Sequence, residues 1–100
     1  MTLNIFQKSD EFDNWLVGLK DHVGKALILL RLDRASRGNW GDCESVGEGV
    51  SEMRIHHGPG YRVYFTRRGA VIYLLLVGGD KSTQKRDIKQ AVEMARTLKE

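Results

Sequence analysis

The sequence predicts an α+β fold, a compact antiparallel-rich sheet with an N-terminal helical hairpin and a C-terminal helix in the order β-α-α-β-β-β-α. Three observations carry this. Two apolar stripes of helical period follow one another after Ser9, the period drops to two after Gly41, and a third helical stripe follows Gly78-Gly79. Segregated helices and a strand meander argue for helices on one face of the sheet. With 100 residues and 41 % hydrophobic content, residues 1–100 read as a single domain with enough apolar material for a core.

Each element has a local cause. Thr2 to Phe6 alternates Leu3 and Ile5 with polar neighbours, the pattern of a short edge strand. Ser9 is a helix cap, Asp10 and Glu11 suit the first turn, and Phe12, Trp15, Leu16 and Leu19 form one face. Asp21 caps a second helix lined by Val23, Leu27 and Leu30 and closed by Gly38 after Arg34 and Arg37. Val50 to His57 alternates, His57-Gly58-Pro59-Gly60 is a turn, and Tyr61 to Thr66 alternates again. Cys43 to Val46 has room for one extra short strand. Arg67-Arg68-Gly69 is a second turn. Val71 to Val77 is apolar on both sides, as a strand covered on each face would be, and Gly78-Gly79 ends it. Ser82 caps a last helix with Ile88, Ala91, Val92, Ala95 and Leu98 as its stripe.

Composition excludes several classes. One cysteine, Cys43, forbids an internal disulfide, and with only three histidines there is no Cys-rich zinc site. Cys43 has no sequence neighbour that would activate it. No metal and no cofactor are expected. Met-Thr-Leu-Asn-Ile-Phe lacks the basic stretch and long apolar run of a signal peptide. The seven apolar residues from Val71 to Val77 fall far short of the roughly 20 that span a bilayer, so a cytoplasmic protein without membrane association is expected. Charge is uneven: residues 1–50 carry 6 basic and 8 acidic side chains, residues 51–100 carry 10 and 5. Such asymmetry suits a face that meets an anion, or a solvated Lys-rich helix.

Alternation also fixes which residues share a face. Residues opposite one another across an antiparallel pair lie on the same side, so the 57–60 turn must set Arg54 opposite Arg62 or opposite Tyr64. In either register Arg54, His56, Arg62 and Tyr64 lie on one side, and Met53, Ile55, Val63 and Phe65 on the other. Two adjacent guanidinium groups need an anion between them. Glu52 can serve, as a cross-strand salt bridge, or a phosphate can, since arginine forks match phosphate oxygens. His56 lies on the same side, where an imidazole can act as a base. Gly78-Gly79-Asp80-Lys81-Ser82 adds a close-approach loop, a helix start and a cation, without the spacing of a P-loop. Trp15 belongs to the core, and Trp40 either packs over the sheet edge or holds a partner.

Glu52-Met53-Arg54-Ile55, Gly60-Tyr61-Arg62-Val63-Tyr64-Phe65 and Gly78-Gly79-Asp80-Lys81-Ser82-Thr83-Gln84 resemble, in order and spacing, the RelE/ParE superfamily of toxins. Phe12-Asp13-Asn14-Trp15-Leu16 and Gly38-Asn39-Trp40-Gly41-Asp42 are similar to its HigB-like branch, the addiction-module killer proteins, and the resemblance covers nearly the whole chain. It implies a RelE-like fold and a toxin that cuts messenger RNA on the ribosome without a metal. The ribose 2′-OH attacks the adjacent phosphate, so the protein must align oxygens, stabilise a phosphorane and handle two protons. On matching positions the resemblance makes Arg54, Arg62 and Lys81 the catalytic cations. His56, Tyr64 and Tyr61 are the candidates for proton transfer or base stacking, because the chain lacks the C-terminal tyrosine of the RelE archetype. Lys20, Lys25, Arg31 and Arg34 offer a secondary RNA surface along the helical hairpin. The implied partners are the ribosome, messenger RNA and a cognate antitoxin, usually a helix-turn-helix protein in this branch. The alternatives are a ParE-like toxin that inhibits DNA gyrase without cutting RNA, and an inactive homologue that only binds an antitoxin or DNA.

Overall fold

Residues 3–98 are described by the computed structural model of the chain. Strand β1 (Ile5–Lys8) leads into α1 (Asp10–Gly18) and α2 (His22–Ser36). Strands β2 (Cys43–Gly47), β3 (Val50–Ile55), β4 (Tyr61–Arg67) and β5 (Ile72–Asp80) follow, then a single 3₁₀ turn (Lys81–Thr83) and α3 (Gln84–Leu98). The sheet order is β1-β5-β4-β3-β2, with β1 parallel to β5 and every other pair antiparallel. The expected edge strand is present at Ile5–Lys8; Thr2 lies outside the described residues. The optional strand at Cys43 is real and takes the far edge.

The caps of the hairpin follow the sequence signals. Ser9 Oγ accepts from the Phe12 amide at 3.0 Å and donates to the Leu76 carbonyl, fastening the start of α1 to β5. Asp21 Oδ1 accepts from the Gly24 amide at 3.0 Å. Gly38, at φ +94°, ends α2, and the Asn39 amide reaches back to the Arg34 carbonyl at 2.9 Å in a Schellman arrangement. The buried stripe of α2 is Gly24, Ile28, Leu32 and Ala35, one position round from the expected one, leaving Val23 and Leu30 exposed. Leu27 to Leu30 is apolar all round the helix, so periodicity alone does not choose the inner face.

Helices cover both faces of the sheet, not one. Phe12, Leu16, Ile28 and Leu32 of the hairpin pack on Met53, Ile55, Val63, Phe65 and Leu75. On the opposite face Ala91 and Ala95 of α3 pack on Val50, Tyr64, Leu74, Leu76 and Val77. Trp40 lies over the first face, stacked on Phe65 with ring centres 5.1 Å apart and edge-on to Phe6 and Tyr73. Burial of β5 on both sides explains its unbroken apolar run.

A bulge in β5 sets the geometry beyond the core. Tyr64 pairs with Val77 and Phe65 with Leu75, so Leu76 is the extra residue and the side-chain alternation of β5 reverses there. The strand does not stop at the glycines but runs to Asp80. Gly78 faces the hairpin, where a Cβ would lie 2.2 Å from the Trp15 ring, and Gly79 faces α3, where a Cβ would lie 1.9 Å from Asp87 Oδ2. Both positions demand glycine for space.

Candidate functional site

The β3–β4 register sets Arg54 opposite Arg62 and Glu52 opposite Tyr64. Since α3 covers this face, the residues that share it divide by depth. Glu52 is fully buried, and Tyr64 with it. The Glu52 carboxylate accepts from Tyr64 Oη at 2.8 Å, Gln84 Nε2 at 2.8 Å and Arg54 Nε at 2.9 Å. Burial pushes this carboxyl up, but the donors from Gln84, Arg54 and Tyr64 together outweigh it and hold its pKa below the usual carboxylate value. Burial and the hydrogen bond to Glu52 push the Tyr64 phenol far up. The anion between the two arginines is therefore Glu52, one of the two possibilities left open by the alternation.

Arg54 is held in a cage of carboxylates. Besides Glu52 it donates through Nη2 to Glu44, and Nη1 is 3.7 Å from Asp42 Oδ1. These bonds, to Glu52 first and then Glu44, raise its pKa. Arg62 behaves differently. Its side chain is only 9 % exposed, Nη1 donates to the Gly60 and Tyr61 carbonyls at 3.1 and 3.2 Å, and its Nε is buried with no partner, 3.9 Å from Glu52 Oε1.

Arg62 and the exposed Lys81 line one open cleft of about 380 Å³ together with the 57–60 turn and His56. The turn is closed by the Gly60 amide donating to the His57 carbonyl at 3.0 Å, with Gly58 and Gly60 at positive φ. Lys81 is placed by Asp80, whose side chain caps the 3₁₀ turn by accepting from the Ser82 amide at 2.8 Å. The cap is thus Asp80 and not Ser82, because the helix begins one 3₁₀ turn earlier than the stripe indicated.

His56 stands at the rim, 69 % exposed, with Nε2 2.6 Å from Asp42 Oδ2. The hydrogen bond from His56 draws the Asp42 carboxyl below its usual range; burial opposes this and Arg54 assists. The loop bearing Asp42 is held by Arg31, whose guanidinium donates to the Arg54, Trp40 and Asp42 carbonyls. His57 lies 3.6 Å from Asp21 on the other flank of the turn.

The sequence-derived site therefore divides. Arg62, Lys81 and His56 share a cleft, whereas Arg54 lies on the same sheet face but is neutralised by three carboxylates. Tyr64 is buried under α3 and Tyr61 in the core on the other face. Tyr61 donates to Asp21 Oδ2 at 2.8 Å, and burial with that bond pushes its pKa up to about 12. Neither ring is presented for stacking on a base. Of the hairpin cations, Lys20 and Arg34 are exposed, Lys25 is half-buried, and Arg31 is turned inward as a carbonyl clamp. Burial pushes the Cys43 thiol up, in keeping with an unreactive cysteine. Asp42, Glu44 and Gln84 were not singled out from the sequence; their partners are distant in the chain, and only Asp42 and Gln84 carried a signal, as the ends of the Gly38–Asp42 and Gly78–Gln84 motifs.

Residues 10–100 match the model of the family described as "Phage derived protein Gp49-like (DUF891)", and the chain belongs to that family, a toxin-like family of toxin–antitoxin systems. It is similar to an uncharacterized protein of Haemophilus influenzae (strain ATCC 51907 / DSM 11121 / KW20 / Rd), with 51 % identity over 87 residues, 87 % of this chain and 88 % of the relative. Among the described residues no helix is long and apolar enough to cross a membrane.

Proposed function

We propose that this chain is the toxin of a toxin–antitoxin pair and acts as a metal-independent endoribonuclease on ribosome-bound messenger RNA. The observation that carries the reading is the single cleft shared by Lys81, Arg62 and His56. In the reaction the ribose 2′-oxygen bonds to phosphorus and the bond to the 5′-oxygen breaks, leaving a cyclic phosphate and a 5′-hydroxyl. His56, oriented through Nε2 by Asp42, presents Nδ1 to take the 2′-hydroxyl proton. Lys81 supplies positive charge to the phosphorane oxygens and gives a proton to the leaving 5′-oxygen. Arg62 contributes from below as a fixed cation, held by the Gly60 and Tyr61 carbonyls. Arg54 acts through Glu52 and Asp42, fixing the walls, and does not bind phosphate directly. A cytoplasmic site of action and an antitoxin partner, of the helix-turn-helix kind, belong to the same reading.

The test is a cell-free translation reaction with the purified protein, followed by primer extension. Codon-spaced breaks on translated messages are expected, with Lys81→Ala at least tenfold slower, since one electrostatic contact to a reacting group commonly contributes that much or more. Gyrase-dependent DNA breaks with intact messages would replace this reading by the gyrase-directed one. Full translation arrest by folded Lys81→Ala would remove the cleft from the chemistry.

A further inference from the structure

We infer that the exposed side of the first half of α3 is a track for an RNA backbone leading away from the Arg62–Lys81 cleft; this rests on the reading of the chain as an RNA-directed toxin. Lys81 lies in the 3₁₀ turn, and Lys85 and Lys89 follow at four-residue intervals, the latter two sharing one side of α3 about 6 Å apart along its axis. Arg86 stands beside them, and all four are exposed. The acids of this stretch are otherwise engaged. Asp80 caps the 3₁₀ turn, and Asp87 is buried and accepts from Thr83 Oγ1. Arg86 is 3.7 Å from Asp87, but among the described residues Lys81, Lys85 and Lys89 form no ion pair.

This arrangement opposes helix stability. The first turns of a helix favour anions, yet here they carry the surface cations, a conflict that a bound polyanion relieves. At the head of the track stands the nine-tenths buried Arg62, its Nη1 donating to the Gly60 and Tyr61 carbonyls and its Nε, which makes no hydrogen bond, 3.9 Å from Glu52 Oε1. On the hairpin, of Lys20, Lys25, Arg31 and Arg34 only Lys20 and Arg34 are exposed, fourteen positions apart, while Arg31 is consumed by carbonyls and Lys25 is half-buried. The stripe also lacks the apolar anchors that a protein partner uses, because Ile88 and Val92 pack against the sheet. Phosphate attraction needs no such anchors.

The experiment measures binding of a labelled mixed-sequence single-stranded RNA by fluorescence anisotropy from about 0.05 to 0.2 M salt. Lys85→Ala/Lys89→Ala keeps strong helix formers in place and removes cations from the helix start, so it is expected to melt at or above the wild-type temperature. Its affinity should fall at least fivefold and its log–log salt slope should be shallower by about 1.4, the loss of two phosphate contacts to a single strand. Lys85→Arg/Lys89→Arg should bind as wild type, and Lys8→Ala/Arg37→Ala, which removes the same charge elsewhere on the surface, should be unchanged. Equal binding by the α3 alanine pair, an equal loss in the Lys8/Arg37 pair, or absence of salt-dependent RNA binding would overturn the track. So would a glutamate-rich peptide that binds α3 more tightly than RNA, which would make the partner an acidic protein. Cleavage is scored separately: RNA binding lost in the alanine pair with no cleavage by wild type would remove the nuclease and leave the track, and cleavage with unaltered binding would do the reverse.

Discussion

Removing the carboxylate of Glu52 should be among the most damaging changes on the α3 side of the sheet. Glu52→Ala leaves Tyr64 Oη and Gln84 Nε2 without their acceptor and strips Arg54 of its innermost partner. It also takes away the carboxylate 3.9 Å from Arg62 Nε, which makes no hydrogen bond of its own. Breaking a buried pair from one side costs about 3–5 kcal/mol. The orphaned Tyr64 hydroxyl belongs to the same network, so its cost is not simply added. For a domain of this size each kcal/mol moves the melting temperature by about 4–8 °C, so a fall of about 12 °C or more is expected. Circular dichroism melts at pH 7 give the number. The sign of the pH dependence is a second check. Glu52 has a folded pKa below its unfolded value, so its contribution is fully present above that unfolded value, about 4.3, and is lost as pH falls through the folded one. Wild type should therefore lose more stability than Glu52→Gln on acidification below about pH 5. Asp21 and Asp42, also lowered, act in the same direction in both proteins and cancel in the comparison. An alanine variant melting within about 2 °C of wild type, or equal acid sensitivity of the glutamine variant, would refute the account of Glu52 as the keystone of this face.

Three further expectations test other parts of the structure. Gly79→Ala drives a methyl into Asp87 Oδ2 and Thr83 Oγ1, so α3 must shift; a loss of about 1–3 kcal/mol is expected in chemical denaturation, against near-neutral behaviour for Gly18→Ala, which meets nothing. Val63→Asp buries an unpaired charge in a fully enclosed position and should abolish the cooperative thermal transition; wild-type melting would refute the assignment of odd-numbered β4 residues to the hairpin side. Asp42→Asn keeps a side chain of the same size beside His56 but removes the carboxylate that orients the ring, so the proposed cleavage should lose rate while melting changes little; an unchanged cleavage rate would separate His56 from the chemistry.

What the sequence disclosed follows from what alternation and caps encode. Ser9 and Asp21 were readable because a cap acts within three residues, and the Arg54–Arg62 face because strand parity is local to one hairpin. What covers that face was not local. The placement of α3 opposite the hairpin depends on packing between distant segments, although Val71 to Val77, apolar on both sides, already required cover on both. Helices on one face and a two-sided strand were incompatible expectations, and the strand was right. Parity gives direction and not depth, so it does not reveal that Tyr64 lies covered by α3. Glu52 was legible as a possible counter-ion; its burial, with Gln84 reaching it from α3 across 32 positions, was not. Lys81 joins Arg62 only because β5 pairs with β4 up to Asp80, opposite Tyr61.

The extra residue at Leu76 constrains the chain in a way that reaches the cleft. By reversing the pleat it decides which of two successive glycines yields room to an indole and which to a helix. Deleting one position there would exchange those duties, thrust Asp80 and Lys81 toward the wrong layer and leave the cap without its helix. The residue count between Leu74 and Asp80 is therefore as tightly set as the two glycines themselves.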